Sequence, residues 1–238
     1  MKKILILAGG FGTRLKSLVH DVPKPLAPID KKPFIHYLIL NLIEQGADDI
    51  VLLLHYKSDQ IKEAIKHLDY KKKYPYLTIR FIVESEPLGT GGSVSNAINE
   101  LDIRESFLVI NADTWLGSGL KLINSSKFCS IAAIRVQDSS RYGTLKILDN
   151  KIVGFSEKDP NVSEGWINAG LYNIHPKNFK KYLSHKKFSL EEVILPRIAE
   201  EGNLYSICLD TDFIDIGIPE DYLKFCRWIK GDKNALKS

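Results

Sequence analysis

The chain has 238 residues, of which 44% are hydrophobic and 26% charged, and this composition is that of an ordinary soluble globular protein. Its formal net charge of +4 is too mild to distinguish anionic small molecules from nucleic acid as partners. The three cysteines lie far apart without metal-ligand spacing, which excludes a disulfide framework and a structural zinc site. No apolar run is long enough for a signal peptide or a membrane span, so we expect a cytoplasmic protein with no membrane partner.

The first half of the sequence alternates predicted strands with predicted helices. The continuous apolar run at 4–8 predicts a strand that is buried on both faces of a parallel sheet, and 50–54 predicts a second buried strand. Two further strands are predicted at 77–83 and 107–110. Apolar residues at helical spacing predict helices at 35–43, 61–68 and 91–98. This alternation implies right-handed crossovers and a doubly wound α/β sheet.

The second half of the sequence is richer in strands. Strand patterns occur at 130–136, 143–148, 152–155 and 166–174, with Asp149-Asn150 as a hairpin turn. A capping box at 189–192 opens a helix that Gly202 closes, and Pro219 suits the first turn of the last helix. With no repeat or linker, residues 1–238 are expected to form one domain whose sheet is mixed in its second half.

A glycine-rich turn, 8–15, directly follows the first predicted strand. Glycines let backbone N–H groups approach phosphate oxygens without interference from a Cβ, and Arg14 adds a permanently charged fork that suits phosphate. The spacing matches neither the dinucleotide-binding G-x-G-x-x-G nor a Walker A loop. A tight strand exit with no ligand is the alternative.

A lysine between two prolines follows in Pro23-Lys24-Pro25-Leu26. Because the prolines restrict the backbone, Lys24 is held stiffly, which favours contact with an anion. The alternative is an exposed loop lysine.

Together, the glycine-rich turn and the Pro-Lys-Pro segment resemble the signature of the sugar-phosphate nucleotidyltransferases. The similarity continues along nearly the whole chain through short matching segments. These are 87–92, similar to the nucleotide loop; 111–114, similar to the metal-binding Asp segment; 142–144, 157–158 and 168–170, similar to sugar-phosphate segments; and 213–217, similar to the segment with the second metal carboxylate. Among the branches, the chain most resembles the D-glycero-α-D-manno-heptose 1-phosphate guanylyltransferases, followed by the mannose 1-phosphate guanylyltransferases.

The resemblance implies a Rossmann-like mixed sheet of the nucleotide-diphospho-sugar transferase type, Mg²⁺ as cofactor, and an NTP, GTP above all, and a sugar 1-phosphate as substrates. It implies that Asp113 and Asp215 hold the metal and that these two residues, Arg14 and Lys24 form the catalytic set. The implied nucleotide-binding residues are Leu7, Ala8, Gly9, Gly10, Gly12, Thr13, Arg14, Lys24, Glu84, Gly89 and Thr90. The implied sugar-phosphate-binding residues are Asp113, Gly143, Glu157, Lys158, Asn168 and Gly170.

The resemblance places a side-chain contact with the edge of the base at Glu84, five residues before Gly89, and we expect Glu84 to help choose guanine. An ionised carboxylate only accepts hydrogen bonds, and guanine offers two adjacent donors, N1–H and N2–H₂, whereas adenine and cytosine present a ring-nitrogen acceptor there. The alternative is that Glu84 is a solvated residue at the end of the strand and that backbone groups near 7–9 read the base.

Two departures from the family pattern stand beside the aspartates, Ala112 in place of glycine and Ile218 in place of threonine. The family also often has a C-terminal left-handed β-helix, for which few residues remain after Pro219, so a bare catalytic domain is expected. The oligomeric state is open, with a homodimer as one option.

Several other readings are weighed against this one. Alternative functions are the same reaction on mannose 1-phosphate, uridylyl transfer to a hexose 1-phosphate, and a non-catalytic regulatory copy. An NAD-dependent dehydrogenase is a further alternative, but it requires an acidic residue at the end of a second strand, about 20 positions beyond the glycines. Asp30 lies in a proline-rich loop instead. The basic and aromatic run at 70–76 is interpreted as a solvated loop rather than a nucleic-acid contact. Asp210 and Asp212 are interpreted as a strand face rather than metal ligands, and His36 and His55 as surface or loop residues.

Overall fold

The fold is built on a mixed β-sheet, as seen in a computed structural model that describes residues 1–15, 17–157, 164–182, 187–232 and 234–236. The described strands are β1 (Ile4–Leu7), β2 (Pro28–Ile29), β3 (Lys32–Pro33), β4 (Asp49–Leu54), β5 (Thr78–Val83), β6 (Phe107–Asn111), β7 (Thr114–Leu116), β8 (Cys129–Val136), β9 (Thr144–Leu148), β10 (Lys151–Ser156), β11 (Gly165–Ile174), β12 (Leu204–Leu209) and β13 (Phe213–Asp215). The described α-helices are α1 (Phe34–Glu44), α2 (Ser58–His67), α3 (Tyr70–Lys73), α4 (Gly89–Glu100), α5 (Leu120–Ser125), α6 (Leu195–Glu200) and α7 (Pro219–Ile229). Short 3₁₀ helices lie at Thr13–Leu15, Lys24–Leu26 and Pro176–Phe179, and a π-helical turn at Leu190–Ile194 precedes α6.

Within the described residues, nine strands form the main sheet in the order β5-β4-β1-β6-β11-β8-β12-β10-β9. Strands β5, β4, β1 and β6 are parallel neighbours, and β11 runs antiparallel to both β6 and β8. The sheet is therefore parallel in the first half of the chain and mixed in the second, which confirms the predicted fold class. None of the described helices is long and apolar enough to cross a membrane.

Both faces of the sheet are covered by apolar side chains. In β1, Ile4 and Ile6 pack into one core layer, and Leu5 packs into the other, each with 0% exposure. Alternate residues of one strand point to opposite faces, so a continuous apolar run is what a doubly covered parallel strand requires. The apolar runs of the first half are thus explained.

Some predicted elements are corrected. Strand β12 ends at Leu209, so Asp210 and Asp212 lie in the connection to β13 rather than on a strand face. The run at 70–76 is also not wholly a solvated loop, because it begins with the short helix α3. Tyr70 is 5% exposed, and its hydroxyl lies 2.9 Å from Nδ1 of His36, so His36 is a partly buried packing residue rather than a surface one.

The departure at Ile218 leaves the start of α7 without a side-chain cap. Ile218 occupies the N-cap position with extended backbone angles, φ −129° and ψ 158°, and offers no side-chain acceptor to the first turn. A threonine hydroxyl there would accept a hydrogen bond from a free backbone N–H, an interaction worth about 1 kcal/mol.

We therefore expect Ile218→Thr to melt about 2–4 °C above Ile218→Val in a calorimetric scan. Valine has the shape of threonine without the hydroxyl, so the comparison isolates the cap. Equal melting temperatures for the two variants would show that the cap contributes nothing here.

Candidate active site

The candidate site lies where β1 and β6 end. These strands are parallel neighbours, with Leu7 paired to Asn111, so the loops that follow them leave the sheet at the same edge. Ligands of open α/β sheets bind at this edge, beyond the carboxyl ends of the strands. A cavity of about 210 Å³ opens there and is lined by Leu7, Ala8, Gly10, Gly12, Thr13, Arg14, Lys24, Pro25, Ala112, Asp113 and Gly217.

The glycine-rich turn passes directly over Lys24. Gly12 has φ +59°, in the left-handed region that favours glycine, and a Cβ there would lie 2.7 Å from the Cβ of Lys24. The following 3₁₀ turn is anchored by Leu15, which is 1% exposed, whereas Arg14 is exposed and lines the cavity. The glycine-rich turn and the Pro-Lys-Pro segment therefore lie against each other at the cavity.

Lys24 points between two carboxylates. Its flanking prolines are buried, and its Nζ donates a hydrogen bond to Oδ2 of Asp113 and lies 3.7 Å from Oδ1 of Asp215. The sequence suggested a stiffly held lysine aimed at an anion, and in the structure those anions are the two aspartates.

A small two-stranded ribbon brings the aspartates together from distant parts of the chain. Strand β13 pairs antiparallel with β7, which places Asp215 opposite Thr114, and the N–H of Ile216 donates to the carbonyl of Asp113 at 3.0 Å. The N–H of Gly217 holds Oδ1 of Asp215 at 2.7 Å. Both carboxylates are thereby held beside the Nζ of Lys24.

The carboxylate pair carries more negative charge than one lysine neutralises. Burial, followed by the negative charge of Asp113, raises the pKa of Asp215 to about 6. A hard cation bound through two carboxylates and phosphate oxygens suits such a pair, since Mg²⁺ is usually held by one or two carboxylates plus substrate oxygens. Within the described part of the chain there is no cluster of three or more His, Cys, Asp or Glu side chains, so the donor set here is this pair.

Glu84 lies three residues before the predicted nucleotide loop, 87–92, and is 6% exposed, so it is not the solvated residue of the alternative interpretation. Its Oε2 accepts from the N–H of Leu88 at 3.1 Å, and its Oε1 accepts from the hydroxyl of Ser93. Glu84 thus closes the loop that leads into α4. That it also contacts the base stays a prediction, for which lone pairs remain on both oxygens.

The helix α4 begins two residues earlier than predicted, at Gly89. Gly89 has φ +72°, and a Cβ there would lie 2.6 Å from the carbonyl oxygen of Phe188. Thr90 follows in the first turn, where its hydroxyl donates to Oε2 of Glu191 at 2.6 Å. Gly9, Glu84, Gly89 and Thr90 lie outside the lining of the 210 Å³ cavity, unlike the other predicted nucleotide residues.

The predicted sugar-phosphate residues are distributed around β11, the neighbour of β6. Gly170 packs against Asn111 and Thr114, on either side of Asp113, and its N–H donates to Oδ1 of Asn168 at 2.9 Å. Gly143 and Glu157 are exposed; Gly143 directly precedes β9, and Glu157 directly follows β10. Lys158 lies outside the described residues.

Tyr142, beside Gly143, connects this region electrostatically with the aspartates. Burial, and then the negative charge of Asp221, raise the pKa of the Tyr142 phenol to about 12. Asp215 also raises this pKa, whereas the positive charges of Arg141 and Arg14 oppose the rise. A wider cavity of about 840 Å³ is lined by Tyr142, Asp215, Arg141 and Asp221, among others, and Arg141 donates to Asp221 at 2.9 Å.

Some residues with evident roles were not singled out from the sequence. Ser93 and Glu191 each hold part of the nucleotide loop through side-chain hydrogen bonds. A signal existed for Glu191, since it lies inside the capping box, where the N–H of Glu192 does donate to the Ser189 hydroxyl at 3.1 Å as expected. The departure at Ala112 is accommodated, because its small side chain is buried and its N–H donates to Leu7 at 3.1 Å.

Comparison with known proteins extends these observations. The model of the family described as "Nucleotidyl transferase" matches residues 3–230. The D-glycero-α-D-manno-heptose 1-phosphate guanylyltransferase of Aneurinibacillus thermoaerophilus is 36% identical over 225 residues, covering 92% of this chain and 95% of the relative. The mannose-1-phosphate guanyltransferase of Saccharomyces cerevisiae is 36% identical, covering 93% of this chain and 63% of the relative.

Among solved structures, HddC from Yersinia pseudotuberculosis complexed with GMP-PN superposes with a TM-score of 0.83. It is 39% identical and covers 96% of this chain and 100% of its own. The chain therefore belongs to the nucleotidyl transferase family, whose members commonly use a divalent metal.

Proposed function

We propose that this protein transfers the guanylyl group of GTP to D-glycero-α-D-manno-heptose 1-phosphate and releases pyrophosphate. The observation that carries the proposal is the pair of aspartates, Asp113 and Asp215, held together beside the glycine-rich turn and Lys24. The names of two relatives that are matched over nearly their whole length support the choice of sugar and base.

In the reaction, an oxygen of the sugar phosphate attacks the α-phosphorus of GTP in line. The P–O bond to the β-phosphate breaks, and its electron pair leaves with pyrophosphate. The attacking oxygen is already ionised, so no general base is required. Two polyanions must be brought together, and the protein contributes mainly alignment and neutralisation of charge.

The proposed nucleotide-binding part of the site consists of the glycine-rich turn and the positively charged side chains beside it. Backbone N–H groups of Gly10, Gly12 and Thr13 face the phosphates, and Arg14 and Lys24 supply positive charge. Asp113 and Asp215 would hold Mg²⁺, which would supply positive charge to the phosphate oxygens. Lys24 would then bridge the carboxylates and the triphosphate, because its Nζ already lies between the two aspartates.

On the sugar side, we assign hydroxyl contacts to Glu157 and Asn168 and a phosphate contact to Lys158. Backbone groups of Gly143 and Gly170 complete the pocket. Asn168 and Gly170 lie on β11, directly beside the strand that leads to Asp113, which supports this division of the site.

Mannose 1-phosphate is the second candidate substrate. The heptose enzyme is matched over 95% of its length, whereas the yeast mannose enzyme is matched over 63%, and this favours the heptose. A pyrophosphate-release assay that combines four NTPs with a panel of sugar 1-phosphates separates the candidates. We expect GTP with the manno-configured heptose 1-phosphate to have the highest kcat/KM, and no release with any pair would contradict the function.

The role of Glu84 in base choice has its own test. If its carboxylate also accepts from N1–H and N2–H₂ of guanine, Glu84→Gln should lower kcat/KM for GTP and narrow the advantage over UTP and dTTP, because the amide presents a donor to a donor. The measurement is kcat/KM for each NTP at saturating sugar phosphate.

Ser93→Ala is the matched control, since it removes one loop contact of Glu84 and leaves its charge. This variant should affect all NTPs by the same factor. If Glu84→Gln also lowers all of them equally, Glu84 only braces the loop and does not read the base.

A further inference from the structure

A chain of side-chain hydrogen bonds links the nucleotide loop to the sugar segment. Thr90 donates to Oε2 of Glu191 at 2.6 Å, and the hydroxyl of Tyr172 donates to Oε1 at 3.2 Å. The amide nitrogen of Asn168 donates to the hydroxyl of Tyr172 at 2.9 Å. Glu191 therefore stands between two segments that we assign to different substrates.

The segment that carries Glu191 is firmly docked on the nucleotide loop. The carbonyl of Phe188 accepts from the N–H of Gly91 at 3.0 Å, and the N–H of Phe188 donates to the carbonyl of Leu88 at 3.0 Å. A Cβ at Gly91 would overlap the Phe188 ring, so the close approach requires glycine. The N–H of Leu190 also donates to the Thr90 hydroxyl at 2.8 Å.

The direction of every bond in the chain follows from the charge of Glu191. An ionised carboxylate only accepts, so Tyr172 must donate to it and can only accept from Asn168. The Asn168 nitrogen is thereby directed to Tyr172, and its oxygen to the N–H of Gly170. Burial, and then the charge of Glu191, raise the pKa of Tyr172 well above its usual value, which keeps the phenol protonated as a donor.

The same rule applies to Thr90. Its hydroxyl hydrogen is committed to Glu191 and one lone pair to Leu190, so it has only acceptor capacity left for a ligand. Contact of Thr90 with a phosphate oxygen of the nucleotide must therefore come from its backbone N–H, and the Glu191 bond helps to hold that group in place.

We propose that Glu191 is a positioning residue for both substrates, which holds Thr90 for the nucleotide and, through Tyr172, fixes the amide orientation of Asn168 for the sugar. This inference rests on the proposed function of the two segments. Buried networks of this kind contribute only when every member is satisfied, so a single polarity change is felt at both ends.

The test compares variants that break this series of hydrogen bonds at different points. Tyr172→Phe removes only the phenolic oxygen and so breaks the hydrogen bonds that link Glu191 to Asn168. The KM for sugar phosphate should therefore rise about five- to tenfold, the effect of losing one hydrogen bond. The KM for GTP should stay within about twofold of the wild-type value. The Glu191 carboxylate accepts from three hydroxyls, those of Thr90, Tyr172 and Ser189. Glu191→Gln puts an amide donor opposite one of these donors, so both KM values should rise by at least that factor.

Tyr182→Phe is the matched control, because Tyr182 packs on Phe188 and lies outside the chain of bonds. It should leave both KM values unchanged. A purely structural role would lower the melting temperature and raise the two KM values together in every variant. An unchanged sugar-phosphate KM in Tyr172→Phe, or unchanged KM values in Glu191→Gln, would overturn the proposal.

Calorimetric binding of Mg·GTP separates this inference from the proposed function, since it needs no turnover. Glu191→Gln should weaken binding by about fivefold or more, and Tyr172→Phe should not weaken it. If wild type bound Mg·GTP but turned over no sugar phosphate, the proposed function would fail. Weaker Mg·GTP binding by Glu191→Gln, but not by Tyr172→Phe, would still support the role of Glu191 in holding the nucleotide loop. Equal Mg·GTP binding by wild type and Glu191→Gln would refute the role of Glu191 in nucleotide binding, whatever reaction the protein catalyses.

Discussion

Asp113→Asn and Asp215→Asn are each expected to lower turnover by roughly 10²–10³-fold while the fold persists. Each substitution removes one negative oxygen donor from the pair that faces Lys24, and the loss of one group that stabilises transition-state charge typically costs roughly 3–4 kcal/mol. Asparagine has nearly the same shape, so the ribbon of β7 and β13 should remain. The measurement is kcat with saturating substrates and excess Mg²⁺, together with a thermal melt of each variant.

Asp212→Asn is the control for this pair, because Asp212 is an exposed residue of the neighbouring loop. It should retain the wild-type rate. EDTA should abolish the wild-type activity, and added Mg²⁺ should restore it. Undiminished activity in EDTA would contradict the metal role of both aspartates.

The parallel half of the fold could be predicted because its signals are local. A strand covered on both faces must be apolar where it is covered, and β1 and the first four residues of β6 satisfy this. The glycine-rich turn is equally local, since Gly12 needs a left-handed backbone conformation directly after the strand. No local pattern predicts that Asp113 and Asp215 bind a metal; that prediction came from the resemblance to the sugar-phosphate nucleotidyltransferases.

What could not be predicted depends on contacts between distant residues. Strands β7 and β13 have three residues each, too short for a periodic pattern, and only their pairing brings Asp113 and Asp215 together. Likewise, the burial of Glu84 follows from its contact with Ser93, and the link from Tyr172 to Glu191 joins a strand to a later helix. Strand β12, which was not predicted, alternates buried and less buried residues over its first four positions.

Lys24→Ala is expected to lower kcat/KM for GTP on the order of 10²-fold or more and to lower kcat as well. The Nζ of Lys24 neutralises the carboxylate pair and is proposed to contact the triphosphate, so its removal leaves two carboxylates opposite each other and weakens nucleotide alignment. Lys158→Ala, in contrast, should mainly raise the KM for sugar phosphate. Steady-state kinetics with each substrate varied in turn separate the two effects.

Lys3→Ala is the matched control for Lys24, since Lys3 is also a partly buried lysine that donates to an aspartate, Asp49. Lys3 precedes β1 and so lies at the opposite edge of the sheet from the cavity. Its loss should leave both KM values and kcat unchanged, because no substrate group is assigned to that edge. If Lys24→Ala and Lys158→Ala showed the same kinetic defect, the assignment of one lysine to the nucleotide and the other to the sugar phosphate would be wrong.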